Sequence, residues 1–350
     1  MDHTQPVESV IRSVAIVGSG MSGLTAAIQL REAGLSVTLF EKGRGPGGRL
    51  AARRVPDGTI DIGAQYFTIR DPAFRRFLEN WAGNDSFGEW HGQLRFQQDD
   101  GRWTDFMAGP RYVGVPRMSV ISRALATDLA IHYNTRIARV LPAGSGWALE
   151  DTEGVEQGMF DAVVISTPPA QIRDLLAASD TGLDDSAHEL VALPLDACWA
   201  VMAAFPENPC PGVDGFSCRH PALQWAANNS SKPGRENDGC WWVLHARADW
   251  SEEHRGADPD WVAHQLLDAF GACAHLSTLP ETVLTHRWLY AKTRDGGDRP
   301  GHIWHARERI GFCGDWLAGG RVEGAFQSGL ALAGSMLRSR EAGPDDDRNG

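Results

Sequence analysis

The sequence predicts an α/β fold with two interleaved domains, and three observations lead to this class. The chain has 350 residues, which is longer than one ordinary hydrophobic core requires. Its N-terminal part shows a strand, helix and strand pattern with a glycine-rich turn. A strand followed by a helix of small residues returns only near the C-terminus, so one domain is built from segments that are distant in sequence.

The composition is that of a globular protein, with 42% hydrophobic and 22% charged residues. The formal net charge is -12, so we expect no sequence-independent binding of nucleic acid, because such binding depends on neutralising phosphates. Any anionic ligand is therefore expected to be held by local arginines.

The cysteines and the N-terminus argue against several kinds of site. Six cysteines are scattered without a Cys-x-x-Cys pair or a His/Cys cluster at metal spacing, so we predict free thiols and no metal site. The polar N-terminus lacks the apolar core of a signal peptide, and no run of about 18 apolar residues occurs. We therefore expect a cytoplasmic protein without a membrane span.

The first motif combines two strands, a glycine-rich turn and a helix. A short apolar strand at Ser13–Val17 is followed at once by the turn GSGMSG, residues 18–23. Leu24–Ala33 is rich in alanine and leucine, as a helix requires. A second strand at Ser36–Phe40 leads directly into Glu41. This order is that of a dinucleotide-binding βαβ unit.

Each motif position has a physical role in such a unit. Gly18 makes the tight turn, Gly20 lets a pyrophosphate approach the backbone, and Gly23 lets the helix pack closely on the strand. The helix N-terminus offers unpaired N–H groups to the phosphates. Glu41 can accept hydrogen bonds from the adenosine ribose and disfavours a 2′-phosphate. The unit alone fits both NAD and FAD.

A second glycine-rich loop follows the ribose acid. The stretch EKGRGPGGRLAARR, Glu41–Arg54, is too rich in glycine for a helix or strand interior. Such a loop can wrap the far side of a pyrophosphate, with Arg44 or Arg49 donating charge-assisted hydrogen bonds to phosphate oxygens. A simple nicotinamide dehydrogenase lacks this loop, so the loop favours a flavin.

These two motifs together resemble the flavoprotein amine oxidase and protoporphyrinogen oxidase-like FAD superfamily. Within it, three further stretches are similar to the renalases, in particular their bacterial branch: DIGAQYFTIRDPAFRRFLENW (61–81), HRWLYA (286–291) and FCGDWLAGGRVEGAFQSG (312–329). The middle, 171–285, carries weaker signatures, although SSKPGREND and WWVLHA also resemble that branch. The resemblance implies a Rossmann-like FAD-binding domain of the GR2, p-hydroxybenzoate hydroxylase-like type.

The C-terminal motif is expected to complete the FAD site. A strand at Arg309–Cys313 ends in Gly314 and Asp315, and a helix of small residues begins at Val322. The amides of its first turn can stabilise negative charge on reduced flavin. The resemblance also places an adenine contact at Ile137. FAD is expected to bind without a covalent bond, and the predicted cofactor-binding residues are Gly18, Ser19, Gly20, Met21, Ser22, Gly23, Glu41, Lys42, Arg44, Gly48, Arg49, Gln65, Tyr66, Ile137, Gly314, Asp315, Val322 and Ala325.

The chain is predicted to enter the FAD-binding domain more than once. That domain is expected to comprise residues 1–72, 111–170 and 289–350. The intervening residues 73–110 and 171–288 are expected to form a substrate domain of the α+β class with mostly antiparallel sheet.

The resemblance implies a flavin oxidase of isomeric dihydro-NAD(P). Renalase-like enzymes transfer the hydride of 2- or 6-dihydro-NAD(P) to flavin N5, restore NAD(P)+ and reduce O2 to hydrogen peroxide, which is a metabolite-repair activity. The expected partners are thus a small dinucleotide substrate and O2, and no side chain is assigned as catalytic. Stacking and hydrogen bonding should dominate, and the candidate substrate residues are Gln65, Tyr66, Phe67, Arg70, Asn229, His245, Trp288 and Arg321.

Two alternatives stay open at this level. An amine oxidase or a desaturase-like oxidase could use the same frame, with an aromatic cage for a neutral amine. Some relatives have lost flavin and act only as binding proteins, as the escort proteins of small GTPases do. The intact unit from Gly18 to Glu41, Arg49 and the Gly314-Asp315 turn argue against loss of flavin.

Overall fold

The computed structural model describes residues 10–56, 58–179, 181, 183, 194–236, 239–276, 278–294 and 299–342. Its helices are α1 (Met21–Glu32), α2 (Pro72–Trp81), α3 (Ser119–Leu125), α4 (Pro169–Ala177), α5 (Ala248–Glu253), α6 (Pro259–Ala274) and α7 (Val322–Ala342). Its strands are β1 (Ser13–Val17), β2 (Ser36–Glu41), β3 (Ala52–Val55), β4 (Gly58–Asp61), β5 (Phe87–Glu89), β6 (Leu94–Gln97), β7 (Trp103–Asp105), β8 (Tyr112–Gly114), β9 (Ala130–Tyr133), β10 (Ile137–Ala143), β11 (Gly146–Asp151), β12 (Glu156–Phe160), β13 (Ala162–Ile165), β14 (Leu195–Phe205), β15 (Gly215–Ser217), β16 (Leu223–Asn228), β17 (Cys240–Ala246), β18 (Thr282–Thr293), β19 (Ile303–His305) and β20 (Ile310–Phe312).

The chain divides into two compact units. Unit 1 comprises the described residues within Met1–Pro46, Leu125–Leu193 and Gly297–Gly350. Unit 2 comprises those within Gly47–Ala124 and Pro194–Gly296. Each unit has its own central sheet, so each is described by itself below.

Unit 1 is built on a six-stranded sheet with the order β19-β20-β13-β1-β2-β9. The pairs from β20 to β9 are parallel, and only β19 is antiparallel to its neighbour. The central strand β1 is an apolar run whose Val14, Ala15 and Ile16 are fully buried, as expected for a strand covered on both faces. The separate antiparallel sheet β10-β11-β12 lies in the same unit.

The predicted βαβ unit is confirmed as β1, α1 and β2. Helix α1 begins at Met21, three residues before the predicted start, because the Leu24 N–H already donates to the Gly20 carbonyl at 2.9 Å. The helix ends where Gly34 adopts a φ of +83°, and the Gly34 N–H then donates to the Arg31 carbonyl. A left-handed residue at this position is the usual way in which a helix stops.

Unit 2 is built on a seven-stranded sheet with the order β18-β14-β17-β16-β15-β6-β7. All neighbours are antiparallel except β15 and β6. One face packs on α6, where Phe270 stacks 5.8 Å from Phe216 and 5.1 Å from Trp242. The opposite face buries Met202 against the β3-β4 hairpin. The predicted fold class is therefore confirmed, with a parallel sheet in one unit and a mostly antiparallel sheet in the other.

The predicted domain limits differ from these units in four segments. Residues 47–72, 111–124 and 289–294 were predicted with the FAD domain but lie in unit 2, whereas the described residues of 171–193 lie in unit 1. The β3-β4 hairpin explains the first difference, because its apolar side chains belong to the core on one face of the seven-stranded sheet. Helix α4 explains the last, because it packs on β10.

Further sequence expectations concern the cysteines and the membrane. All six cysteines are free thiols, and four of them are buried. None of the described helices combines the length and the apolar character that crossing a membrane requires. Within the described ranges, no three His, Cys, Asp or Glu side chains come together as a set of metal ligands.

Candidate cofactor and substrate sites

The glycines of the βαβ turn have three different environments in unit 1. Gly18 adopts a φ of +100°, and a Cβ there would lie 2.9 Å from Ser166 Oγ. A Cβ on Gly23 would lie 2.2 Å from the Gly18 carbonyl oxygen, so this glycine is required for packing between helix and turn. A Cβ on Gly20 would meet no protein atom within 4 Å. Gly20 therefore faces space that a ligand can use, as a pyrophosphate site requires.

Glu41 is the last residue of β2 and ties the turn to the loop that follows. Its Oε2 accepts hydrogen bonds from Ser19 N at 3.0 Å and from Ser19 Oγ at 2.8 Å. Its Oε1 accepts a hydrogen bond from Gly43 N at 2.7 Å. These donors are neutral, and each carboxylate oxygen has further acceptor capacity. The arrangement fits a carboxylate that also accepts hydrogen bonds from ribose hydroxyls.

The Gly314-Asp315 turn is fixed against the first half of α7. The Gly314 N–H donates to Ser328 Oγ at 2.9 Å, and Asp315 is buried. A Cβ on Gly324 would lie 2.1 Å from the Ala318 carbonyl oxygen, which requires glycine in the first turn of α7. The first three amides of a helix have no partner within it. The Ala325 N–H, which the sequence also places at the flavin, donates to the Arg321 carbonyl at 3.0 Å. The amides before it in the first turn of α7 remain the candidates for the predicted flavin contact.

The other predicted cofactor residues divide between the two units. In unit 1, Met21, Ser22 and Ile137 are buried, Val322 and Ala325 are half-buried, and Lys42 and Arg44 are exposed. In unit 2, Arg49 NH1 donates to the Ala291 carbonyl at 3.1 Å, and Gly48 has a φ of +51°. The structure therefore gives Arg49 a backbone acceptor where the sequence suggests a phosphate.

A buried charged group dominates unit 2, and we call it the Asp61 cluster: Asp61, Gln65, Lys232 and Arg235. Asp61 Oδ2 lies 3.1 Å from Lys232 Nζ and 2.5 Å from Arg235 NH2, and all three side chains are fully buried. Asp61 Oδ1 accepts a hydrogen bond from Met118 N at 2.8 Å. One buried carboxylate is thus paired with two buried cations, so the free energy of each charged group depends strongly on the presence of the other two.

The Asp61 cluster also uses the polar atoms of two predicted substrate residues. Lys232 Nζ donates to Gln65 Oε1 at 3.0 Å, and Gln65 Nε2 donates to the Asp61 carbonyl at 2.6 Å. Asn229 Oδ1 accepts from Asp61 N at 3.1 Å, while Asn229 Nδ2 donates to the Thr59 carbonyl at 3.2 Å. Gln65 and Asn229 therefore position the segment around Asp61 through bonds inside the protein.

Burial and charge shift three pKa values in this unit. Burial alone would raise the pKa of Asp61, but Lys232 and Arg235 outweigh it and hold this pKa below its ordinary value. Burial lowers the pKa of Lys232 to about 8, against the opposing effect of Asp61. Burial also lowers the pKa of His245 to about 4, so this imidazole is neutral at pH 7.

Three of the predicted substrate residues lie around the segment that follows Asp61. The Ile62 carbonyl accepts a hydrogen bond from Trp288 Nε1 at 2.8 Å, and it also accepts one from the His245 ring. The Tyr66 ring lies 5.6 Å from that of Trp225. These aromatic and imidazole groups are suited to binding a flat ring.

The remaining predicted substrate residues have other surroundings. Phe67 is buried beside Phe74, with ring centroids 6.0 Å apart, so it belongs to the core of unit 2. Arg70 is exposed in unit 2, and Arg321 is exposed in unit 1. The predicted set thus contains core, surface and scaffold positions.

Sequence reasoning missed Lys232 and Arg235. The two cations occur in SSKPGREND, where they look like an exposed polar loop. A lysine and an arginine around Pro-Gly give no local sign that both reach one buried carboxylate more than 170 residues earlier.

Two models of known protein families match this sequence. The sequence model for a NAD(P)-binding Rossmann-like domain matches residues 16–81. The model described as flavin containing amine oxidoreductase matches residues 69–337, which is most of the chain. The chain belongs to this family. The predictions of FAD and of the FAD-binding fold are thereby confirmed, as is membership of the wider amine oxidase superfamily.

Individual curated relatives match over shorter stretches of sequence. The bifunctional tRNA 5-methylaminomethyl-2-thiouridine biosynthesis protein MnmC of Magnetococcus marinus is 29% identical over 197 residues, covering 45% of this chain and 29% of that protein. Hydroxyneurosporene desaturase of Cereibacter sphaeroides is 38% identical over 65 residues, 19% of this chain and 13% of the desaturase. The chain thus matches less than a third of the length of these two curated relatives.

Solved structures match over nearly the whole chain. Putrescine oxidase bound to putrescine has a TM-score of 0.72 at 15% identity, covering 93% of this chain and 99% of that one. Cyclohexylamine oxidase of Brevibacterium oxydans has a TM-score of 0.72 at 13% identity, covering 95% and 100%. At this level of identity the likeness shows a common fold.

Proposed function

We propose that the protein is an FAD-dependent oxidase of isomeric 2- and 6-dihydro-NAD(P). The overall reaction takes dihydro-NAD(P), O2 and one proton to NAD(P)+ and hydrogen peroxide. The observation that carries the proposal is the neutral His245 among aromatic side chains in unit 2. A dihydropyridine gives up a hydride from carbon and needs no base, whereas stacking and neutral hydrogen bonds orient it. FAD, when bound, supplies the hydride acceptor.

The Asp61 cluster supports this assignment through the state of its charges. The pKa of Lys232 is about 8, and its ammonium donates hydrogen bonds to Asp61 and Gln65. It therefore stays protonated at pH 7 and is held in the scaffold. Its place fits a reaction in which the protein binds and orients the substrate without removing a proton from it.

Non-covalent FAD is part of the proposal. Cys313 lies next to the Gly314-Asp315 turn, where a covalent flavin link could be imagined. Its side chain is fully buried, and burial raises the pKa of its thiol to about 12. A protonated thiol is a poor nucleophile, so we expect the flavin to be released by denaturation.

An amine or desaturase-type oxidase is the second candidate. It is favoured by the family match and by the likeness to putrescine oxidase and cyclohexylamine oxidase. Amine oxidation on this frame would place a neutral amine beside aromatic side chains, and unit 2 contains such side chains as well.

An anaerobic absorbance experiment separates the candidates. The FAD-loaded protein is mixed with 2-, 4- or 6-dihydro-NAD, or with putrescine or cyclohexylamine, and the flavin band is followed. We expect rapid bleaching by the 2- or 6-isomer and little by the 4-isomer, with NAD+ as the product. Bleaching by an amine alone would replace the proposal with the second candidate.

A further inference from the structure

We propose that Trp225 and His245 form a recognition site for a primary carboxamide, the group carried by the nicotinamide ring. The inference rests on the proposed function and names the chemical group of the substrate that unit 2 recognises. It starts from two buried nitrogen atoms that have no hydrogen-bond partner among the described residues: Trp225 Nε1 and His245 Nε2.

The sheet register brings these two side chains together. Trp225 on β16 is directly opposite His245 on β17 in an antiparallel pair. Opposite residues project from the same face, with Cβ atoms about 4.5–5.5 Å apart. The pair belongs to a row across the sheet with one residue from each of the seven strands: His286, Ala200, His245, Trp225, Ser217, Phe96 and Thr104.

The chemistry of the two nitrogens is complementary. The indole N–H of Trp225 can only donate a hydrogen bond. The Ile62 carbonyl interacts with the His245 ring, and because Nε2 has no partner among the described residues, we assign the ring proton to Nδ1. In this tautomer Nε2 carries a lone pair and can only accept. A donor and an acceptor thus lie side by side in the row.

A primary carboxamide matches both atoms at once. Its carbonyl oxygen accepts from Trp225 Nε1, and its NH2 group donates to His245 Nε2. A carboxylate would meet the donor but would face the lone pair of His245, and an ammonium group, which has no acceptor, would leave the Trp225 N–H unpaired. Buried polar atoms are rarely left without partners, and two neighbours without partners indicate a ligand that supplies both bonds.

Aromatic side chains surround this pair as a ring-binding site requires. The Trp225 ring lies 5.6 Å from Tyr66 and 5.4 Å from Phe106, and the Arg111 guanidinium covers both of the latter rings. The carboxamide site is therefore continuous with an apolar, flat surface in unit 2. The nicotinamide carboxamide and its ring have this combination of polar and flat parts.

The test uses two analogues that each remove one half of the carboxamide. In 3-acetylpyridine adenine dinucleotide a methyl group replaces NH2, and in the thionicotinamide dinucleotide sulfur replaces the oxygen. Dissociation constants of NAD+ and of both analogues are measured on the FAD-loaded protein from the change in flavin absorbance. We expect each analogue to bind about tenfold more weakly than NAD+, since each loses one buried hydrogen bond.

Two variants assign each loss to one residue. Trp225→Phe should abolish the tenfold difference between NAD+ and the thio analogue but keep the acetyl difference, while His245→Phe should do the reverse. Trp103→Phe, on the edge strand β7 and exposed, is the matched control and should keep both differences. The analogue series on the unchanged protein stands by itself if a variant fails to fold.

The outcomes separate this inference from the proposed function. Equal binding of all three dinucleotides, with the 2- or 6-dihydro isomer still bleaching the flavin, would overturn the carboxamide site alone and indicate that only water occupies it. Loss of both differences in either variant would also overturn the assignment. If no dihydronicotinamide reduces the flavin, the proposed function fails and the carboxamide inference fails with it.

Discussion

Glu41 in unit 1 and Asp61 in unit 2 are both the last residues of a strand, yet their surroundings differ completely. Glu41 is half-buried and accepts hydrogen bonds from Ser19 and Gly43, which are neutral. Asp61 is fully buried and is bound by two cations. A carboxylate that keeps access to water needs only neutral donors and can still bind a ligand, whereas one taken wholly out of water needs counter-charges.

The comparison predicts different effects of substituting the two carboxylates. Asp61 uses both of its oxygens on Met118, Lys232 and Arg235, and Lys232 in turn holds Gln65. Glu41 uses its oxygens on the turn and the loop that would hold a dinucleotide. Substitutions at Asp61 should therefore affect stability first, and substitutions at Glu41 should affect FAD affinity first.

The largest effect is expected for Asp61→Asn. Removing this charge leaves two buried cations without compensation, which typically costs about 3–5 kcal/mol of unfolding free energy. Urea denaturation of the FAD-loaded protein, followed by tryptophan fluorescence, measures the loss. Lys232→Met is the matched control and should cost less, because Asp61 and Arg235 then form a balanced pair. Equal losses in both variants would contradict this account of the cluster.

The pH dependence of stability tests the same cluster. Unfolded chains keep the lysine proton up to about pH 10.5, whereas folded Lys232 releases it near pH 8. Between these values the unfolded state binds more protons, so stability should rise with pH, by up to roughly 3 kcal/mol. The unfolding free energy relative to Lys232→Met, measured at pH 7.5 and pH 9.5, should show this rise. A flat difference would place the pKa of Lys232 near its ordinary value.

In unit 1, two glycines of the turn have different roles: Gly23 is needed for packing, and Gly20 is needed for the approach of a ligand. Gly23→Ala places a methyl group 2.2 Å from the Gly18 carbonyl oxygen, so we expect a loss of about 1–3 kcal/mol of unfolding free energy. Gly20→Ala meets no protein atom and should leave the stability of the FAD-free protein within about 0.5 kcal/mol. Both should weaken FAD binding in a fluorescence titration. Unchanged FAD affinity in Gly20→Ala would mean that the pyrophosphate lies elsewhere.

Glu41→Gln should reduce FAD affinity about tenfold, because a charge-assisted hydrogen bond to the ribose becomes a neutral one. The FAD dissociation constant, obtained by titrating the FAD-free protein, measures the effect. Glu32→Gln, at the exposed end of α1, is the control and should leave the constant unchanged. Equal constants for all three proteins would argue that Glu41 serves only the loop.

The smallest effect is expected for the pH dependence of kcat/KM that arises from protonation of His245. Because the pKa of His245 is about 4, the ring is already neutral at pH 5.5, and ionisation of His245 should cause no change in kcat/KM for the dihydro isomers between pH 5.5 and pH 8. An acidic limb is expected only near pH 4, where the ring gains a proton and loses its acceptor. A limb near pH 6.5 would show that the ring is accessible to water.

The sequence by itself determined the βαβ unit of unit 1. Gly18 and Gly23 are required by backbone conformation and by contacts within a few residues or across neighbouring strands, so the spacing of residues 13–41 carries the information. The start of α2 follows in the same way from local capping, because the Asp71 side chain accepts a hydrogen bond from Ala73 N and Pro72 follows at the first helical position.

Only the tertiary structure decided the Asp61 cluster and the pair of Trp225 and His245. Lys232 reaches Asp61 across 171 positions of the chain, and a slip of one residue between β16 and β17 would move Trp225 to the other face of the sheet. Strand register and burial depend on the whole fold, whereas a glycine turn depends on its own backbone. That difference in range is the physical reason why the cofactor motif could be predicted and the neighbours of Asp61 could not.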